Sequence, residues 1–167
     1  MPPMIPKRTL LAQAGILALL CAADFASKWA AELFIKGKGT IRLIGDFLVF
    51  VYAENGGAFL GLGSGFHPVL WIALFVALPL GVVVWVIVEI IRGKPANAMA
   101  RWGYLLVAAG GLCNLADRVF RGGFVRDFIN AGIGSLRTGV LNVADLYITI
   151  GVVLILFATG RAEPVAP

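Results

Sequence analysis

The stretch TGVLNVADLYITIGVVLILFATG, residues 138–160, decides the fold. It is apolar enough for hydrocarbon, yet it opens on an acid, Asp145, followed by fifteen uncharged residues before Arg161. Two other stretches repeat that spacing: fifteen uncharged residues separate Arg8 from Asp24, and fifteen separate Arg101 from Asp117. At a rise of about 1.5 Å per residue, each carboxylate lies about 24 Å from its arginine, just inside the far boundary of a hydrocarbon core roughly 30 Å thick. With the three arginines at one membrane face, the three acids share one depth. The remaining apolar stretch, residues 66–88, carries no charge, and its Pro79 is tolerable in a transmembrane helix, where local adjustments satisfy the freed carbonyl.

Working outward, the 167 residues are 60% hydrophobic and 14% charged, with a mean hydropathy of +0.92. A soluble domain has roughly 45–50% apolar and about 25% charged residues, so a water-soluble monomer is excluded. The pattern predicts an all-α membrane protein: a single domain over 1–167 with four transmembrane helices at approximately 9–30, 66–90, 102–118 and 140–160. Extracytoplasmic segments cover approximately 36–65 and 119–138. In the first of them Leu43, Phe47, Val49 and Val51, broken by glycines, predict short strands and tight turns, hence a small β-rich segment on the membrane surface. The run from Gly61 to Gly65 lacks the Lys-Ser/Thr of a phosphate loop.

The net charge of +5 comes from basic residues scattered between apolar spans, which fits membrane lipids and excludes nucleic acid. Lys7 and Arg8 in the tail, and Arg92, Lys94 and Arg101 in a short loop, place both termini in the cytoplasm. Density in short loops carries this orientation, since eight basic residues fall outside against six inside. Cys21 and Cys113 lie inside apolar stretches and read as packing residues, not a disulfide or a metal site. A cleavable signal sequence competes for the first thirty residues, but Leu20 is too large for the position before a lipoprotein-type cysteine.

Acids at this depth cost about 2.5–3.5 kcal/mol at a span centre, so they need a partner or a task. Asp24 and Lys28 are four apart on one helix face and read as an ion pair. Asp117 and Arg118 read as a boundary pair that positions the helix end, a setting in which the acid can orient the arginine. Asp127 and Asp145 have no such partner. Asp127 follows the apolar, glycine-hinged approach Gly122-Gly123-Phe124-Val125, and the seventeen residues from Phe128 to Ala144 are long enough to bring the two carboxylates together. Two adjacent carboxylates share a proton near neutral pH, giving one base to activate water and one acid to polarise a carbonyl, which is aspartic-protease chemistry. His67, the only histidine, precedes Pro68 with no serine or cysteine partner and reads as an interfacial residue.

At this point the residues resemble the lipoprotein signal peptidases (signal peptidase II), intramembrane aspartic proteases of bacteria. The resemblance runs from about Ala22 to Phe157. Asp24-Phe-Ala-Ser-Lys28 is similar to the family's Asp-x-x-Ser/Thr-Lys motif, Glu54-Asn55-Gly56-Gly57-Ala58 to Asn-x-Gly-Ala, Asn114-Leu-Ala-Asp117-Arg118 to Asn-x-x-Asp-Arg, Val125-Arg126-Asp127-Phe128 to Val-x-Asp-Phe, and Asn142-Val-Ala-Asp145 to Asn-x-Ala-Asp. Five motifs in order are a strong signal where one is weak. The resemblance implies Asp127 and Asp145 as the catalytic pair, Asn55, Asn114, Arg118 and Asn142 around substrate, and Asp24 and Lys28 supporting the site, with Gly57 and Asp117 beside them. It implies a prolipoprotein substrate whose cysteine carries diacylglycerol and is cut just before that cysteine. No metal or organic cofactor is implied, and a monomer in the bacterial inner membrane is expected.

Four departures mark this chain: Cys113 where glycine usually precedes the motif asparagine, Arg126 where an apolar residue precedes Asp127, ten positions rather than nine between Asp117 and Asp127, and Phe59-Leu60 after Ala58. An inward-turned Arg126 would disfavour the shared proton. Two alternatives therefore stay open, a divergent non-proteolytic paralogue and a small proton- or cation-conducting membrane protein. The absence of an inverted repeat and the count of four spans weigh against a carrier. A passive assembly subunit would need small-residue seams, and Ala108, Gly111 and Ala116 hint at close helix contact.

Overall fold

The structure, a computed structural model, describes residues 5–57, 63, 65–95 and 97–159. Ala58, Phe59, Leu60, most of the Gly61–Gly65 run, Ala96 and the terminal residues 1–4 and 160–167, Arg161 among them, lie outside them. The described residues form four helical rods: α1 (Lys7–Phe34); a rod of α2 (Pro68–Ile72), a π-helical turn (Ala73–Ala77) and α3 (Leu78–Ile91); α4 (Ala98–Phe120); and α5 (Val143–Thr159). The π turn sits just before Pro79, with the Leu78 N–H bonding to the Ala73 carbonyl, which is the local adjustment a proline in mid-span requires. Among the described residues, two rods are long and apolar enough to cross a membrane, Lys7–Phe34 and Pro68–Ile91. The α4 helix carries Arg101, Asp117 and Arg118, and α5 has 17 residues. Outward-facing Leu11, Leu19, Trp85, Leu156 and Phe157 are all more than half exposed, an apolar surface suited to lipid.

The all-α expectation needs correction. Four antiparallel strands, β1 (Ile41–Ile44), β2 (Leu48–Asn55), β3 (Val125–Ile133) and β4 (Leu136–Arg137), form one sheet in the order β1-β2-β3-β4. The sequence predicts strands only before residue 65. The second outer segment supplies the other half, because β3 pairs with β2 from Leu48↔Ala131 to Asn55↔Val125. Strand β3 was hidden by its composition. Its run Val-Arg-Asp-Phe-Ile-Asn-Ala-Gly-Ile breaks apolar alternation where Arg126 and Asp127 enter, and both are buried. Glycines set the corners: Gly122 at φ 65° and Gly123 at φ 97° turn the chain out of α4, and Gly134 at φ 58° begins the two-residue turn from β3 to β4.

Two apolar clusters fix this frame. Val86 and Ile90 of α3 pack on Leu105, Val107 and Ala108 of α4. Phe128 of β3 packs on Ala31 and Ile35 at the end of α1, with Phe50, Tyr52 and Ile129 around it. The second cluster seats the sheet on the bundle. The tightest helix seam joins α4 to α5 through glycine: a Cβ on Gly103 would stand 2.7 Å from the Gly151 carbonyl oxygen, and one on Gly151 would stand 2.7 Å from that of Gly103. Gly110 likewise lies against the Ala144 carbonyl, while Gly111 faces Val83.

Candidate active site

The site forms where the sheet meets the bundle. α5 begins there with Asn142 as its cap. The Asn142 side-chain oxygen accepts from the Asp145 N–H at 3.0 Å, and Asp145 reaches back to accept from the Asn142 N–H at 3.0 Å. This is a capping box, with Asp in the place of the more usual Glu or Gln. It explains why an acid stands three residues after an asparagine at the start of an apolar span. The next free N–H of that turn, on Ala144, donates to the Asp24 carboxylate at 2.8 Å, so α1 helps cap α5.

Asn142 also ties the two carboxylates together. Its amide donates to Asp127 at 2.6 Å and to the Asn114 oxygen at 3.1 Å. Asn114 in turn donates to Asp145 at 2.8 Å and accepts from Lys28 at 3.0 Å. Lys28 bridges to Asp24 at 2.8 Å, and Asp24, Lys28 and Asn142 are fully buried. The relay Asp24, Lys28, Asn114, Asp145 is continuous. It draws the acids at residues 24 and 145 to one level of the bundle, as the fifteen-residue spacings predict.

Asp127 arrives from β3 on the sheet side. Asn55 at the end of β2 donates to it at 3.0 Å and accepts from the Gly57 N–H at 3.0 Å. Asp127 is 2% exposed. Its carboxyl is pushed up to about 6: burial raises it most, the Asn55 hydrogen bond opposes this, the Asp145 charge raises it and the Asn142 hydrogen bond lowers it. Arg118 donates to the Gly57 carbonyl at 2.9 Å, and its guanidinium lies 5.9 Å from the centre of the Phe75 ring. Asp127, Asp145, Asn55, Gly57, Asn114 and Arg118 line one cavity of about 280 Å³, whose other walls include Val125, Leu141 and Ile148. All ten residues singled out from sequence lie in or directly behind this cavity.

One role changes. Asp117 does not orient Arg118. Arg126 claims it instead, at 2.7 Å from the guanidinium and 3.1 Å from the backbone N–H, with Lys28 at 3.5 Å. Alternation along β3 explains this: Asp127 faces the cavity, so its neighbour Arg126 points to the opposite face. Arg126 therefore turns away from Asp127, and the expected threat to proton sharing is absent. Glu32 was missed by the sequence reading. It meets Arg126 at 3.3 Å and Arg121 at 2.6 Å, joining Arg121 to the Arg126, Asp117 and Lys28 charges behind the site. Its position four residues after Lys28, on the face that carries Asp24 and Lys28, was the available signal. His67 caps α2, accepting from the Val69 N–H at 3.4 Å.

The chain resembles known proteins along nearly its whole length. The profile described as Signal peptidase (SPase) II matches residues 16–160. A lipoprotein signal peptidase of Borrelia hermsii is 31% identical over 160 residues, covering 89% of this chain and 93% of that protein. One from Geobacillus kaustophilus is 34% identical over 140 residues, covering 84% and 87%. A solved bacterial membrane enzyme superposes with a TM-score of 0.77 at 25% identity, covering 100% of this chain and 99% of that one. With the sheet-capped bundle and the family match spanning both carboxylate-bearing elements, this chain belongs to the signal peptidase II family.

Proposed function

We propose that this protein is an aspartic endopeptidase of the bacterial inner membrane that removes signal peptides from diacylglyceryl-modified prolipoproteins, with Asp127 and Asp145 as its catalytic pair. The observation that carries this reading is convergence: a strand carboxylate and a helix carboxylate line one cavity, each held by Asn142. One carboxyl of the pair is protonated and the other ionised. The ionised one takes a proton from a water between them as the water attacks the scissile carbonyl, and the protonated one gives its proton to the carbonyl oxygen. Collapse of the tetrahedral intermediate returns a proton to the leaving amine and releases the two peptides.

The amides of Asn55, Asn114 and Asn142 fix the two carboxylates, so little reorganisation is needed as charge moves. Arg118 has no carboxylate within ion-pair distance among the described residues, which leaves its charge available to a substrate carbonyl. The dyad sits at the sheet end of the bundle, opposite the basic loop. In the orientation set by that loop, the cut is made near the extracytoplasmic surface, where the diacylglyceryl chains remain in lipid.

The test is cleavage of a diacylglyceryl-modified precursor by purified protein in lipid or detergent. Asp127→Asn and Asp145→Asn preserve size and much of the hydrogen bonding but remove a carboxyl that must cycle its proton. Each change is expected to lower turnover by at least about a thousandfold while precursor still binds. Near-normal turnover of either variant overturns the dyad.

A further inference from the structure

At the end of the bundle opposite the sheet, α1, the α3–α4 connection and the start of α4 enclose two adjoining cavities of about 390 and 230 Å³. Thr9, Gln13 and Arg101 line both. Gln13 is only 6% exposed, and its side-chain oxygen is buried with no hydrogen-bond partner among the described residues. An acceptor in that position has given up water without replacement, a cost that a ligand donor would recover. Arg101 is exposed, and no acid lies within ion-pair distance of it among the described residues. Its basic neighbours differ: Lys94 and Arg92 are both on Glu89, at 2.9 and 3.7 Å. The inner cavity continues between α1 and α4 along Ile16, Leu105 and Trp102, and Trp102 is 48% exposed, with an indole of the kind that settles at membrane interfaces.

We propose that this cleft binds a single anionic phospholipid with a hydroxylated headgroup, of the phosphatidylglycerol type. The lipid phosphate lies on the Arg101 guanidinium, a headgroup hydroxyl donates to the Gln13 side-chain oxygen, and an acyl chain follows Ile16, Leu105 and Trp102. Basic pockets between membrane helices take anionic headgroups for the same electrostatic reason. The chemistry distinguishes the occupants. A free phosphate leaves the apolar half unfilled. A choline headgroup has no hydroxyl for Gln13 and brings a second cation next to Arg101. The site is remote from the carboxylate pair and independent of the proteolytic reading.

Native mass spectrometry of the full chain in detergent, titrated with phosphatidylglycerol or phosphatidylcholine of identical acyl chains, tests the proposal without an activity readout. One phosphatidylglycerol is expected to bind about fivefold or more tightly than phosphatidylcholine. Arg101→Gln and Gln13→Leu should each erase that preference, while Arg101→Lys retains it. Unchanged thermal unfolding in lipid-free detergent identifies the variants that are folded. Arg101, being exposed, supplies a folded variant even if Gln13→Leu does not fold. Equal binding of the two lipids, or a preference untouched by Arg101→Gln, overturns the proposal. Complete displacement of phosphatidylglycerol by millimolar inorganic phosphate also overturns it, by assigning the cleft to a soluble anion.

Discussion

Asp127 is the residue at which burial and chemistry meet most directly. Its carboxyl is pushed up to about 6 as the balance of burial and the Asp145 charge, which raise it, against the Asn55 and Asn142 amides, which lower it. Removing the Asn55 donor takes away a stabiliser of the ionised form, so the proton is held more tightly. In Asn55→Ala, the limb of the kcat/KM pH profile that reports Asp127 is therefore expected to start near 6 in the native protein and move to higher pH. A limb that stays in place or moves down contradicts that role for Asn55. The Arg126 to Asp117 pair makes a separate prediction. Asp117 is 2% exposed and Arg126 is 8% exposed, so Arg126→Leu leaves a buried acid with only the backbone N–H of residue 126 at 3.1 Å and Lys28 at 3.5 Å. Breaking such a pair from one side costs about 3–5 kcal/mol, while replacing both partners costs less than the sum of the two single changes. A double-mutant cycle in detergent unfolding with Arg126→Leu and Asp117→Leu should show that coupling. Additive effects would mean that the pair contributes nothing.

At the level of elements, the α4–α5 seam sets where Asp145 stands. Gly103 and Gly151 allow the two backbones to approach so closely that a Cβ on either meets the other's carbonyl oxygen at 2.7 Å. Gly151→Val must push α5 away from α4, and overpacking of this kind costs about 1–3 kcal/mol. The expected outcome is a lower unfolding temperature and reduced cleavage, because the Asn114 to Asp145 hydrogen bond spans the same seam. Gly81, which has nothing within 4 Å of a built Cβ, is the control: Gly81→Ala should leave both measurements unchanged. Strand β3 shows what an element reading misses. Buried charges at Arg126 and Asp127 disguise a strand whose pairing with β2 is what delivers Asp127 to the cavity.

For the whole molecule, the contacts of Thr9 and Gln13 with the Arg101 region, and of Asp24 with Ala144, put the sheet and the basic loop at opposite ends. With the basic loop in the cytoplasm, a cysteine at Ser135 should react with an impermeant reagent added to intact cells, and one at Lys94 should not. Both positions are exposed and avoid the positive-φ glycines beside them. Labelling of position 94 from outside would reverse the orientation. The sequence by itself determined the four apolar stretches and the equal fifteen-residue spacings of Asp24, Asp117 and Asp145, because membrane insertion leaves few arrangements for a chain of this composition, and its motif resemblance supplied the ten candidate site residues. The strand nature of residues 125–133, the partner of Asp117, the harmless direction of Arg126 and the glycine seam were decided only in three dimensions. Each depends on which face of an element meets a neighbour far away in the chain, and a single sequence records what each residue offers but not what stands opposite it.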